Sequence, residues 1–189
     1  MVSSDDALVQ RVTELIDSSD RDARQQGLEL LHSLDHPRRC AAVSSARRLR
    51  GATLSRLDLR GLELRAWGLL TAHPRGRDLR RSDLSGADLR EADLSGANLH
   101  RARLTGADLR GASLEQCVLL LADLSGADLR GALLSGAQLI GASLRGADLR
   151  GALLPSRLDG VELTDADLRG HDLSAFRLAP AVLARTRQG

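Results

Sequence analysis

From about Ser82 to Leu154 the chain repeats a five-residue unit almost without interruption: SDLSG ADLRE ADLSG ANLHR ARLTG ADLRG ASLEQ. Leucine holds the third place and alanine the first. Counting in fives puts leucine at 54, 59, 64, 69 and 79 and then at every fifth position to 154, with Pro74 as the exception. One residue drops out between Leu154 and Leu158, and the count resumes at 163, 168, 173, 178 and 183, giving 26 leucines in 27 registers. Residues two apart in an extended chain point the same way, so each unit sends one leucine and one small residue to one side. A period of five matches neither a helix nor a simple strand. It fits a solenoid, in which each unit forms one short side and then turns, so that identical units stack coil upon coil. Glycine at the fifth place, as at Gly86, Gly96, Gly106, Gly126, Gly136 and Gly146, supplies the bends.

The first 49 residues lack this repeat and follow helical spacing. Leu8, Val12, Leu15 and Ile16 predict a helix near 5 to 17, with Ser3, Ser4, Asp5 and Asp6 as caps and first-turn acids. Asp17 to Asp20 break the pattern and offer a second N-cap. Ala23, Leu28, Leu31 and Leu34 then form a second stripe, which Asp35-His36-Pro37 ends. A third short helix through Cys40, Val43 and Ala46 is weaker. So short a helical segment buries little by itself and is expected to dock on the repeats as a cap. The division expected is 1–49 helical cap, 50–183 repeat solenoid and 184–189 tail. His32 and His36 stand at i and i+4, a spacing a metal can use, but with Asp35 as the one neighbouring carboxylate and no third ligand in register they read as surface histidines.

Composition narrows the picture further. Hydrophobic residues make up 42% of the 189 but aromatics only 1%, so the core is leucine and alanine. All 27 basic residues are arginine, against 25 acids, for a net charge of +2. Such a balance lacks the one-signed field of a simple nucleic-acid binder. Cys40 and Cys117 match no disulfide framework or paired zinc motif. No apolar run reaches the roughly 18 residues of a membrane span, and a cytoplasmic protein without membrane attachment is expected.

These units resemble the pentapeptide-repeat family, whose pattern is A(D/N)LXX. ADL stands at 87–89, 92–94, 107–109, 122–124, 127–129, 147–149 and 166–168, and ANL at 97–99. The resemblance implies an all-β solenoid, a right-handed quadrilateral β-helix of four units per coil, about seven coils and roughly 30 Å in length at the usual strand spacing, to which the helical spacing of the first 49 residues adds a small N-terminal α-helical cap. It also implies a partner class, since the family includes DNA mimics that occupy the DNA-binding saddle of DNA gyrase and protect it from poisons. Trp67, Cys117, Val161, His171 and Phe176 depart from the pattern at the small-residue place. Trp67 is expected to splay the first coils and pack beneath the helices, and residues 71–77 read either as a projecting loop, such as protective family members use, or as a decayed repeat.

With four units per coil, positions twenty apart stack. One face then carries Asp88, Asp108, Asp128 and Asp148 beside Arg90, Arg110, Arg130 and Arg150, continued by Asp167 and Arg169, columns that neutralise each other and keep the rod soluble. A second face reads DLR, then NLH, then turns apolar, and the adjoining face places Leu133 and Leu153 where Asp or Ser would stand. Val118, Leu120, Leu121, Leu133, Ile140 and Leu153 are therefore expected to form an exposed apolar patch, an interface for self-association or a foreign partner, unless the C-terminal tail covers it. Phe176, Leu178, Val182 and Leu183 in the tail leave open capping of the last coil or an end-to-end homodimer.

No catalytic triad, phosphate-binding loop, cofactor motif or metal cluster survives inspection, so no enzyme is expected. Two binding functions remain. One is a topoisomerase-interacting DNA mimic conferring antibiotic resistance, which the balance of 14 Arg against 12 acids between Gly51 and Leu154 disfavours. The other is an interaction scaffold using the apolar patch or the N-terminal helices. Direct nucleic-acid binding is weakened by the Asp beside each Arg and by the lack of stacking aromatics.

Overall fold

Each repeat unit closes with a four-residue turn in which the alanine N–H of one unit donates to the leucine carbonyl of the unit before, as from Ala107 to Leu104 at 3.0 Å. The third residue of the turn takes a positive φ, the demand of a type II turn. Glycine fills that place at most corners of the computed structural model, which describes residues 4–18, 20–35, 38–39, 41–42, 78–176, 178 and 185–187. Turns at both ends leave three residues per side. Each side therefore contributes one parallel bridge per coil in place of a continuous strand.

Those bridges fix the register. Asp78 pairs with Asn98, Asp83 with Arg103, Asp88 with Asp108 and Asp93 with Ser113, and each partner pairs again twenty residues on. Four units make one coil, and the coils stack as a right-handed quadrilateral β-helix. Residues 78–176 account for about five coils; the coils expected from the earlier units, with Trp67 and the segment 71–77, lie outside the described residues. Leucines 79, 84, 89 and onward to 149 line the axis at no more than 2% exposure, with Ala, or Ser82 in the unit of Leu84, buried beside them at the first place. Cys117, Val161 and Ala166 fill the same inner place.

The lost residue shows as a change of register. Ser143 pairs with Glu162 and Asp148 with Asp167, nineteen apart, while Arg187 returns to twenty above Asp167. The unit at the slip reads Arg157-Leu158-Asp159-Gly160 and lacks its alanine, so Ser156 runs straight into Arg157. Leu158 still reaches the core. A short 3-10 turn, Leu173–Ala175, replaces the side that would follow Asp167.

Two N-terminal helices take the predicted places. Helix α1 spans Ser4–Asp17 and α2 spans Arg21–Ser33, with the Asp20 carboxylate accepting the Ala23 N–H at 2.7 Å as an N-cap. They cross closely at Gly27, where a Cβ would stand 2.7 Å from the Leu15 Cβ. Val12, Ile16, Leu28, Leu31 and Leu34 belong to the same buried cluster as the leucine column. Of the third helix, residues 38–39 and 41–42 have helical backbone and the rest lies outside the described residues, as do His36 and the His32 side chain.

Truncating one axial leucine leaves a cavity that the stacked backbones above and below cannot close. Leu129→Ala, at a wholly buried site, is expected to cost about 2–5 kcal/mol in chemical denaturation.

Candidate interaction surface

Because the inner places are uniform, the four outer faces differ only in the residues on either side of each leucine. The face built on Leu89, Leu109, Leu129, Leu149 and Leu168 carries the two charged columns. Each arginine folds back on the aspartate two residues before it, with Nε and Nη2 donating to the two carboxylate oxygens. The Nη2–Oδ2 distances for Arg90, Arg110, Arg130, Arg150 and Arg169 are 2.6–2.7 Å. Nε of the first four also approaches the aspartate of the next coil at 3.6–3.7 Å. The result is one continuous ladder from Asp88 to Arg169, in which every aspartate after the first lies between two guanidinium groups.

Electrostatics follow this geometry. Hydrogen bonds from their own arginines hold the carboxyls of Asp88, Asp108 and Asp148 below the usual range, against a partial desolvation that opposes the shift. Asp167 is brought down to about 2 by the same donor, Arg169. Arg187 covers it from the next coil, where Leu168 donates to Arg187 O and Arg187 to Ala166 O, both at 2.8 Å.

The two faces that become apolar adjoin each other. Val118, Leu120 and Ile140 flank Leu119 and Leu139, Leu121 turns the next corner, and Leu133 and Leu153 stack as a bridged pair one unit earlier in each coil. The six expected residues thus wrap a corner of the rod. Ile140, Leu153 and Leu121 are 63%, 56% and 49% exposed, whereas Val118, Leu120 and Leu133 are half-buried. The described tail lies elsewhere: residues 185–187 pair over 165–168, on the charged face, and Leu178 packs against the core cluster.

Two features were not read from the sequence. Leu121 occupies the left-handed corner place with φ 57°, where its side chain lies over Gly141 so closely that a Cβ there would come within 2.7 Å of Leu121 Cδ2. A leucine in that conformation costs roughly 1 kcal/mol relative to glycine. The signal was present, since Leu121 holds the fifth place of its unit, which glycine fills in most units. The second feature is a cavity of about 200 Å³ between Gly136–Ile140 and Pro155–Asp159, where the register slips.

The inward departures are accommodated. Cys117 is buried and its thiol donates to Leu94 O at 2.9 Å, while burial pushes its pKa up to about 12. His171 Nε2 lies 2.7 Å from Leu149 O. Among the described residues no cluster of three or more His, Cys, Asp or Glu could hold a metal, and no helix is long and apolar enough to cross a membrane.

A quadrilateral solenoid with one zwitterionic face and one apolar corner is a surface-presenting rod. The sequence profile for pentapeptide repeats matches residues 78–116 and 117–154 in eight copies. Among solved structures, a pentapeptide repeat protein from the cyanobacterium Cyanothece 51142 is 32% identical, with 62% of this chain covering 86% of that one at a TM-score of 0.50. HetL, a pentapeptide repeat protein involved in heterocyst differentiation regulation in Nostoc sp. strain PCC 7120, is 39% identical over 61% of this chain, with a TM-score of 0.44. This chain spans about half of HetL, 48% of its length. QnrB1, a plasmid-mediated fluoroquinolone resistance protein, is 22% identical over 75% of this chain and 77% of its own, with a TM-score of 0.44. No curated protein matches the sequence. The chain belongs to the pentapeptide-repeat family.

The ladder's contribution to stability has a definite pH window. Asp167 has a folded-state pKa near 2, below the ordinary value of about 3.9, so its contribution is fully present above that ordinary value and is lost as the pH falls toward 2. Melting curves of Asp167→Asn against the native protein should differ most at neutral pH and converge between pH values of about 4 and 2.

Proposed function

We propose that this chain is a cytoplasmic, non-catalytic interaction protein whose docking surface is the apolar corner formed by Val118, Leu120, Leu121, Leu133, Ile140 and Leu153. The observation that carries this reading is Leu121, half-exposed in a backbone conformation that glycine would adopt at lower cost. Exposed apolar groups rimmed by polar ones mark protein interfaces, and strain kept at such a place points to use. The charged ladder serves the same reading by omission. Its groups are already paired within the rod and contribute solubility, leaving the corner as the contact.

Self-association is the form tested most directly. Substituting Leu120 and Ile140 by Asp and measuring mass by sedimentation should convert an associating chain into a monomer; an unchanged mass refutes the corner's role in self-association.

The finer reading is protection of DNA gyrase or a related topoisomerase by a DNA-mimicking rod. Its support is the family resemblance and a regularly spaced aspartate column. Against it stands the pairing of each of those aspartates with an arginine, which quenches the negative field that mimicry of DNA needs. In a gyrase supercoiling assay with and without a poison, this reading expects inhibition or rescue together with binding. None of the three would be seen if the corner alone defines the partner.

A further inference from the structure

The register slip leaves an open place in the backbone ladder on one apolar face. Below it the pattern is complete. Gln138 donates its N–H to Cys117 O at 2.8 Å and accepts the Leu119 N–H at 2.9 Å, forming one full bridge. The next coil should offer a residue that does the same for Ala137 O and the Leu139 N–H. Arg157 stands at that place in sequence but makes no such bridge, because the missing alanine draws Pro155 and Ser156 directly into it. The ladder re-forms at Glu162, which donates to Ala142 O at 3.0 Å and accepts the Leu144 N–H at 2.8 Å, and at the corner before it the Gly160 carbonyl accepts the Gly141 N–H at 3.1 Å. Among the described residues, Ala137 O and the Leu139 N–H therefore have no partner, although their residues are only 7% and 2% exposed.

Unpaired backbone groups at such burial are rare and costly. Here they flank a cavity of about 200 Å³ with Ile140 and Pro155 on its walls, and exposed Leu153 lies two residues before Pro155. An acceptor and a donor set either side of one residue are the complement of a single residue in extended form, whose own N–H and C=O point to the same edge.

We propose that this break is a binding site for an extended peptide segment of a protein partner. One residue of the segment completes the missing bridge by donating to Ala137 O and accepting from the Leu139 N–H. Its neighbours lay apolar side chains along Ile140 and Leu153. This is strand addition at a break in the ladder, in which main-chain hydrogen bonds give affinity and flanking apolar contacts give selectivity. The proposal rests on the reading of the apolar corner as the docking surface and names how the partner engages it. The described tail does not compete, since residues 185–187 pair over 165–168 on another face.

The test uses the full chain labelled with ¹⁵N and a random linear heptapeptide library displayed on phage as the probe. In the free protein the Leu139 amide should exchange far faster than those of Leu134 and Leu144, which donate to Leu153 O and Glu162 O at 2.8 Å. A selected peptide should shift the Leu139 resonance and slow its exchange by at least about tenfold. Inserting one alanine between Ser156 and Arg157 restores the unit ARLDG, lets the chain supply its own bridge, and should weaken peptide binding by about tenfold or more. If that variant fails to fold, Ser156→Trp, at an exposed place on the cavity wall, serves as the blocking substitution. The proposal is overturned if the free Leu139 amide is as protected as that of Leu134, if no selected peptide perturbs it, or if peptides bind both blocked variants as well as the native chain. These outcomes are separable from the sedimentation result. The alanine insertion leaves Leu120 and Ile140 in place, so loss of peptide binding with unchanged self-association assigns the notch its own role.

Discussion

A leucine that must return to the rod axis every fifth residue is the constraint on which everything else here depends. Burial of that side chain fixes the direction of each unit, the turn that follows sets the corner, and four corners bring the chain back beneath itself after twenty residues. The parallel bridges then pair backbone groups that burial would otherwise leave unsatisfied. Loss of a single residue is consequently not a local event. At Arg157 it shortens the spacing to nineteen for the bridges that span the slip and opens the ladder on one face, while the face carrying Ser143 and Glu162 and the face carrying Asp148 and Asp167 both re-form it.

Uniformity inside frees the outside. The residues flanking each leucine touch little of the core, so each face can vary without cost to the fold. On the charged face this freedom is used to repeat one arrangement, in which an arginine is held by its own aspartate and approaches the next. On the apolar faces it is used the other way. Polar residues at Asp78, Arg80, Asn98 and His100 give way to Val118, Leu120 and Ile140 one coil after another. Leu121 goes further, because at the corner where Arg81 and Arg101 precede it and Gly141 follows, it takes the same left-handed conformation with an apolar side chain left partly exposed.

The period of five, the inward leucine and alanine, and the stacking of Asp88 over Asp108 were all legible in the sequence, because a strict repeat turns spacing directly into geometry. Helix α1, and α2 capped by Asp20, were legible for a different reason, since cap and stripe are local signals. The consequence of the missing alanine was not. Sequence showed that a residue was lost between Leu154 and Leu158 but not which bridge would fail, because either neighbour of the slip could have absorbed it. Leu121 was read as an apolar outer residue and not as a left-handed one, although its place among the corner glycines held that information. The patch likewise wraps a corner because its members come from two adjoining faces.

Leu121→Gly separates packing from contact more cleanly than any other change. Glycine relieves the left-handed strain and leaves the axis untouched, so a chain whose corner exists for docking should become more stable by about 1 kcal/mol while its association weakens. Denaturation and sedimentation on the same sample measure both. Stability rising as association falls is the result this account predicts; a variant that associates as strongly as the native chain would contradict it.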